Sequence, residues 1–187
     1  MGLGRVTVEE DRARFGSVVV PHLADALFVA RWLTKDRADA EDVVQEACLR
    51  AFRSIGTFAG GSARAWVLAI VRNTAYAWLA KNRSAAIIAV DDLGVRERAQ
   101  AEGGGELATI VPATPETELI EKADAARLEA AISALPTEFR ETLVLRDMQG
   151  LEYREIAEVT GSPVGTVMSR LARARRRLVE AMRTDEP

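Results

Sequence analysis

Residues 153–178 read YREIAEVTGSPVGTVMSRLARARRRL, and this stretch decides the fold. Two helices that cross closely need a small residue where they touch. A glycine four residues on permits a tight turn, and an apolar residue six further seats the second helix. Ala157, Gly161 and Val167 stand at those spacings, with Ser162 as the expected N-cap and Pro163 suited to the first turn of the second helix. The pattern predicts a helix-turn-helix. Stepping 100 degrees per residue from Val167 places Val164, Val167, Leu171, Ala174 and Leu178 on one stripe that should pack inward. Thr166, Ser169, Arg170, Arg173, Arg176 and Arg177 fall mostly on the other side. Such a face fits a DNA major groove, where Thr and Ser contact base edges and Arg reads guanine or holds phosphate. A merely solvated arginine face would account for the charge but not for the turn that accompanies it.

The charge distribution agrees. The formal net charge of -3 argues against a nucleic-acid partner only as an average. Between Ser162 and Arg183 six arginines face one glutamate, a local balance of +5 on an acidic chain. At 187 residues the chain can bury one ordinary core or two small helical ones. A lone Cys48 and a lone His22 rule out intrachain disulfides and Cys/His zinc sites by count. No metal or other cofactor is expected. The contiguous apolar runs, such as Val18 to Val20 and Ala85 to Val90, fall short of the roughly 20 residues that span a bilayer, so no membrane insertion is expected. Glu9, Glu10, Asp11 and Arg12 precede any apolar stretch, which does not suit a secretory signal, and a cytoplasmic protein is expected.

Upstream, apolar residues recur at helical spacing and no segment alternates as a strand would, so the chain reads as all-α. A hairpin is expected from Val8 to Thr34, with Pro21 opening its second helix. A helix follows from Asp36 to Ile55 with Asp39 as N-cap, and another from Ser62 to Arg83 after Gly56, Gly60 and Gly61. From Ser84 to Glu116 three consecutive glycines, two prolines and six acids suggest a flexible acidic linker, with a short helix near Val95 to Glu102. Helical periodicity returns as four short helices, broken at Pro136, Gly150 and Gly161. The expectation is two small helical domains, 1–83 and 117–187, joined by a linker over 84–116.

Two surfaces of the first domain stand out. In 39–53, DAEDVVQEACLRAFR, an inward stripe of Val44, Ala47, Cys48, Ala51 and Ile55 opposes Asp42, Gln45, Glu46 and Arg53, with Leu49 and Phe52 among the acids. Apolar residues on an outward acidic face suggest protein docking, although an ordinary acidic surface fits the same pattern. Cys48, on the inward stripe, reads as a small buried hydrophobe. In the next helix Trp66, Ile70 and Ala77 share one side, with Val67, Val71 and Trp78 adjoining, while Arg72, Tyr76 and Arg83 form a basic strip with a ring inside it. Such a strip suits single-stranded or melted DNA, and the turn Gly60-Gly61-Ser62 could close over an extruded base.

Taken together, 39–53, 57–79 (TFAGGSARAWVLAIVRNTAYAWL) and 135–178 (LPTEFRETLVLRDMQGLEYREIAEVTGSPVGTVMSRLARARRRL) resemble the extracytoplasmic-function (ECF) sigma factors. The resemblance implies an alternative, non-catalytic subunit that directs RNA polymerase core to promoters. It implies that Asp42, Gln45 and Glu46, beside Leu49 and Phe52, dock on the clamp coiled coil of the largest subunit. Gly61, Ser62 and Asn73 would hold a flipped base of the -10 element, near Arg72, Tyr76 and Arg83. Thr166, Ser169, Arg170 and Arg173, continued by Arg176 and Arg177, would enter the major groove at the -35 element. The linker would thread towards the RNA exit channel, and the apolar face around Phe139 and Leu143 would meet the flap of the second largest subunit. Ala77 and Ala80 replace aromatic or charged residues common in the family's -10 helix. The chain ends soon after the recognition helix, so control is expected from an anti-sigma factor rather than a C-terminal extension. A stand-alone helix-turn-helix regulator, an enzyme and a DNA-independent adaptor are the rival readings. The sequence offers no paired nucleophile and base and no phosphate-binding glycine loop for the enzyme, and an adaptor leaves the arginine face unexplained.

Overall fold

The computed structural model describes the backbone of residues 8–89 and 115–184 and the side chains of 8–82 and 123–183. Every regular element among them is helical: α1 (Val8–Val18), α2 (Leu23–Thr34), α3 (Arg37–Ser54), α4 (Ala63–Ala89), α5 (Pro115–Ala134), α6 (Thr137–Leu143), α7 (Tyr153–Thr160) and α8 (Val164–Thr184). Short 3-10 turns, Val20–His22 and Ile55–Thr57, follow α1 and α3. The short helix expected near 95–102 lies outside the described residues. Helix takes both ends of the expected linker, since α4 continues to Ala89 and α5 begins at Pro115.

The N-terminal module is α1 to α4. Helix α2 stops at Lys35, whose left-handed backbone (φ 64°) lets its amide reach the Arg31 carbonyl at 2.8 Å. Asp36, not the expected Asp39, caps α3: its carboxylate accepts from the Asp39 amide at 3.0 Å. The cap must sit just outside the helix, and Asp39 is already in its first turn. Ala26, Val29, Ala30 and Leu33 of α2, Ala40, Val43, Ala47 and Ala51 of α3, and Ala65, Leu68, Val71 and Ala75 of α4 fill the core. The alanines let three helices approach closely. The buried stripe of α3 runs through Val43, with Val44 and Cys48 at its half-buried margin, and Ala77 of α4 is exposed rather than inward. Within Val8–Thr34 an 18-residue window reaches mean hydropathy 1.3, by length and composition apolar enough to cross a membrane, which single apolar runs did not reveal. It folds instead as α1 and α2, broken at the turn containing Pro21, with the apolar face of α2 in the core.

The C-terminal module is α5 to α8. Buried Arg140 donates to the carbonyls of Ser133 and Leu135, tying α6 to the end of α5. Helix α6 widens into a π-turn over Val144–Met148, where the Gln149 amide reaches back to the Val144 carbonyl. A capping box joins Glu152 and Glu155 at the start of α7, and Gly161 closes α7 in the left-handed conformation (φ 63°). Helix α8 starts at Val164, so Pro163 sits just before its first residue, and the Pro163 carbonyl accepts from the Val167 amide. Val167, Leu171 and Ala174 are buried and Leu178 half-buried, as the stripe predicted. Val164, at 38% exposure, is not part of it: it is the first residue of α8, at the stripe's edge.

The two modules pack on each other. Helix α4 lies across α7, and α2 meets α6. Val144, Leu145, Leu151, Ile156, Val159 and Val167 belong to the same buried cluster as the N-terminal core, while Ile132, Leu135, Phe139, Leu143, Leu171 and Ala174 form a second one.

Candidate nucleic-acid interface

The turn at Gly161 and the inward anchors Val167 and Leu171 fix which way α8 faces. Ser169, Arg173 and Arg176 are exposed and Thr166 half-exposed, with the Ser169 hydroxyl donating to the Thr166 carbonyl at 2.9 Å. These four make one open polar and cationic face. Arg170 and Arg177 lead elsewhere. The Arg170 guanidinium donates to the Ser162 hydroxyl at 3.1 Å and pairs with Glu138 at 3.2 Å. Arg177 lies over the Phe139 ring, 5.1 Å from its centroid. Arg175 is paired with Asp147 at 2.5 Å. Beside the open face Met168 is 52% exposed, and with Val164 it adds an apolar edge that the sequence reading did not include. The position of Met168, one step of 100 degrees from Val167, carried that signal, whereas Val164 was read as part of the stripe. Phe139 and Leu143, expected on an outward apolar face, are buried in the second core cluster under α8. Their apolar surface is used within the module, and that expectation is corrected.

Helix α4 begins after Gly60 and Gly61, whose φ angles of 105° and 89° require glycine. Ser62 accepts from the Ala65 amide at 3.2 Å and donates to Glu155 of α7 at 2.9 Å. Arg64 binds Asp25 at 2.7 Å and reaches the Gln149 carbonyl and side chain at 2.8 and 2.6 Å. Two turns further, Arg72 stacks on Tyr76 with 4.4 Å to the ring centroid, as the spacing of the strip predicted. Asn73 is exposed and accepts from Arg72 at 3.3 Å. The Arg83 side chain lies outside the described residues.

Arg72 and Tyr76 both bind Glu141 of α6. The guanidinium donates at 2.5 and 3.4 Å to its two oxygens, and the phenol donates at 3.3 Å. Burial pushes the Glu141 carboxyl above the usual range, against the pull of Arg72. Burial, with the negative Glu141 beside it, pushes the Tyr76 phenol up to about 12. Glu155 is shifted the other way, held low first by the Glu152 amide and then by Ser62.

On α3, Asp42 and Gln45 are exposed, and Glu46 pairs with Arg50 at 2.8 Å, which holds its carboxyl below the ordinary value. Leu49 and Phe52 are exposed at 50% and 39%, with Phe52 edge-on to Phe15 at 5.6 Å. An acidic face with two apolar side chains is therefore present as a surface. Cys48 is half-buried and burial raises its thiol, which does not favour a reactive thiolate. No cluster of metal-ligating side chains occurs among the described residues.

Comparison with known proteins places these features. Residues 18–85 match the family model for Sigma-70 region 2, and residues 125–178 that for Sigma-70, region 4. The chain is 33% identical over 174 residues to the RNA polymerase sigma-H factor of Pseudomonas aeruginosa, covering 92% of this chain and 88% of that one. It is 36% identical over 168 residues to the ECF RNA polymerase sigma-E factor of Escherichia coli K12, covering 88% and 84%. Among solved structures it resembles the sigma factor RpoE in complex with the anti-sigma factor NepR from Bartonella quintana, with TM-score 0.70 and 25% identity over 92% of this chain and 98% of that one. Its fold is also similar to that of CnrH in complex with the cytosolic domain of CnrY, with TM-score 0.64 and 22% identity over 96% and 94%.

Proposed function

From a chain that belongs to the ECF group of sigma-70 factors, we infer an alternative sigma factor whose two modules read the two promoter elements while core polymerase holds them at the required spacing. The observation that carries this reading is the open face of Thr166, Ser169, Arg173 and Arg176 on the second helix of a helix-turn-helix. In the major groove the hydroxyls meet base edges and the guanidiniums take guanine or phosphate. At the -10 element the Gly60-Gly61-Ser62 turn takes an extruded base, with Asn73, Arg72, Tyr76 and Arg83 further along α4 on the melted strand. Asp42, Gln45 and Glu46, with Leu49 and Phe52 between them, dock on the clamp coiled coil of the largest subunit.

Family members are initiation factors rather than catalysts, and here too the chain positions partners and makes no bond itself. Contact with the flap of the second largest subunit belongs to the C-terminal module, through surface other than Phe139 and Leu143. The domain limits are 1–83 and 117–187, with 84–116 as the connector towards the RNA exit channel. The working compartment is the cytoplasm. An anti-sigma factor is the expected regulator, and the likeness to a sigma factor held by NepR supports it.

Reconstituted transcription tests the whole. Core polymerase with this chain should initiate on a subset of a genomic promoter library, while the chain alone should shift duplex DNA weakly. Tight polymerase-free duplex binding without promoter-dependent initiation would reject the sigma reading in favour of a stand-alone regulator.

A further inference from the structure

Along α8, Val164, Met168 and Ala172 follow one another at steps of four residues, so their side chains form a line down the helix. All three are exposed, Met168 at 52%. On one side the line borders the open face of Ser169, Arg173 and Arg176, and on the other Arg175, which Asp147 holds at 2.5 Å. Gly165 stands beside the line, one turn before Met168. Its backbone is not left-handed, and a Cβ there would meet nothing within 4 Å. The fold itself therefore does not ask for glycine at a helical position where alanine is the better helix former. Bare backbone next to an apolar line leaves room for a partner to come close.

The neighbouring groups indicate which partner. A line of apolar side chains alone would suit a protein, but this one shares its turns of helix with two open arginines and with the Thr166 and Ser169 hydroxyls. It also begins in the first turn of the second helix of a helix-turn-helix, the part that reaches base edges in the major groove. The groove offers one projecting apolar group, the C5-methyl of thymine, whereas the other base edges offer donors or acceptors. Against a thioether and valine methyl groups those polar edges would lose water and gain no partner, which is unfavourable. We propose that Met168, between Val164 and Ala172, is a specificity-determining residue that packs on a thymine 5-methyl group and so demands a T·A pair at one position of the -35 element. This rests on the reading that α8 enters the -35 major groove, and it adds what is selected there. Arg173 and Arg176 supply guanine or phosphate contacts, and the apolar line supplies the methyl contact.

Holoenzyme reconstituted from core polymerase and the full chain tests this on a cognate promoter in which each -35 thymine is replaced in turn by deoxyuridine, a change that removes only the methyl group. At one position the replacement should reduce initiation about fourfold, the worth of one buried methyl group. Met168→Ala, with its fold checked by circular dichroism, should initiate more weakly on the thymine template and no longer distinguish thymine from deoxyuridine at that position. A cognate -35 element without a T·A pair overturns the methyl contact. So does a response to deoxyuridine, or a lack of one, that is the same in wild type and Met168→Ala. A Met168→Ala defect of equal size on both templates, with weaker retention of core polymerase, also overturns it and makes the line a protein-docking surface. Failure of the underlying reading looks different: Arg173→Ala and a scrambled -35 element would then leave initiation unchanged, whereas both remain damaging if only the methyl contact is wrong.

Discussion

Six arginines crowd α8, and their partners separate their jobs. Arg173 and Arg176 are exposed, whereas Arg177 stacks on Phe139 and Arg170 is held by Ser162 and Glu138. Arg173→Ala should weaken a cognate -35 duplex by about 1–3 kcal/mol if it reads guanine, seen as reduced run-off transcription that an altered base at that position reproduces. Unchanged transcription removes Arg173 from the interface. Arg177→Ala should instead lower the urea midpoint, by about 0.5–1 kcal/mol for a stack at the surface, and leave base preference intact. The sequence placed Arg170, Arg173, Arg176 and Arg177 together opposite the apolar stripe. It could not separate them, because Glu138 and Phe139 lie on α6, some thirty residues away, and their approach is tertiary. Met168 is exposed at 52% although apolar by type, so residue type alone does not mark it as part of an open face.

Helix signals were legible wherever they are local. Gly161 stands as read and so does the α8 stripe apart from exposed Val164, whereas Pro21, expected to open the second helix, sits in the 3-10 turn Val20–His22 and α2 begins at Leu23. The cap of α3 moved from Asp39 to Asp36 because two acids three residues apart compete for one role, and the tight turn at Lys35 decides it. Asp36→Ala should then cost about 1 kcal/mol of stability, and Asp39→Ala less. On the same helix, Asp42→Ala with Glu46→Ala should reduce retention of core polymerase in a pull-down with little change in melting. Unaltered affinity would make that face an ordinary acidic surface. At α7 the sign of a pH effect is fixed. Glu155 has a depressed carboxyl in the folded chain, so its contribution is present above the ordinary glutamate range and is lost as pH falls through the folded value. The stability gap between wild type and Glu155→Gln should therefore narrow on acidification, as urea titrations at stepped pH would show.

What no local signal announced is the packing of one module on the other. Glu141 reads in the sequence as one more helical acid, and only its approach to Arg72, 69 residues distant, makes it buried. A chain read as two domains on a leash therefore has the leash, by sequence, and a shared core, by structure. The shared core has a thermodynamic consequence. All three tryptophans, Trp32, Trp66 and Trp78, lie in the N-terminal module, whereas helicity reports both modules. If Val144, Leu145, Leu151 and Ile156 couple the modules, tryptophan fluorescence and far-ultraviolet circular dichroism should trace one coincident urea transition. Glu141→Gln, by loosening the contact, should pull the two curves apart. Two separate transitions already in wild type would mean that the contact is too weak to join the folding units.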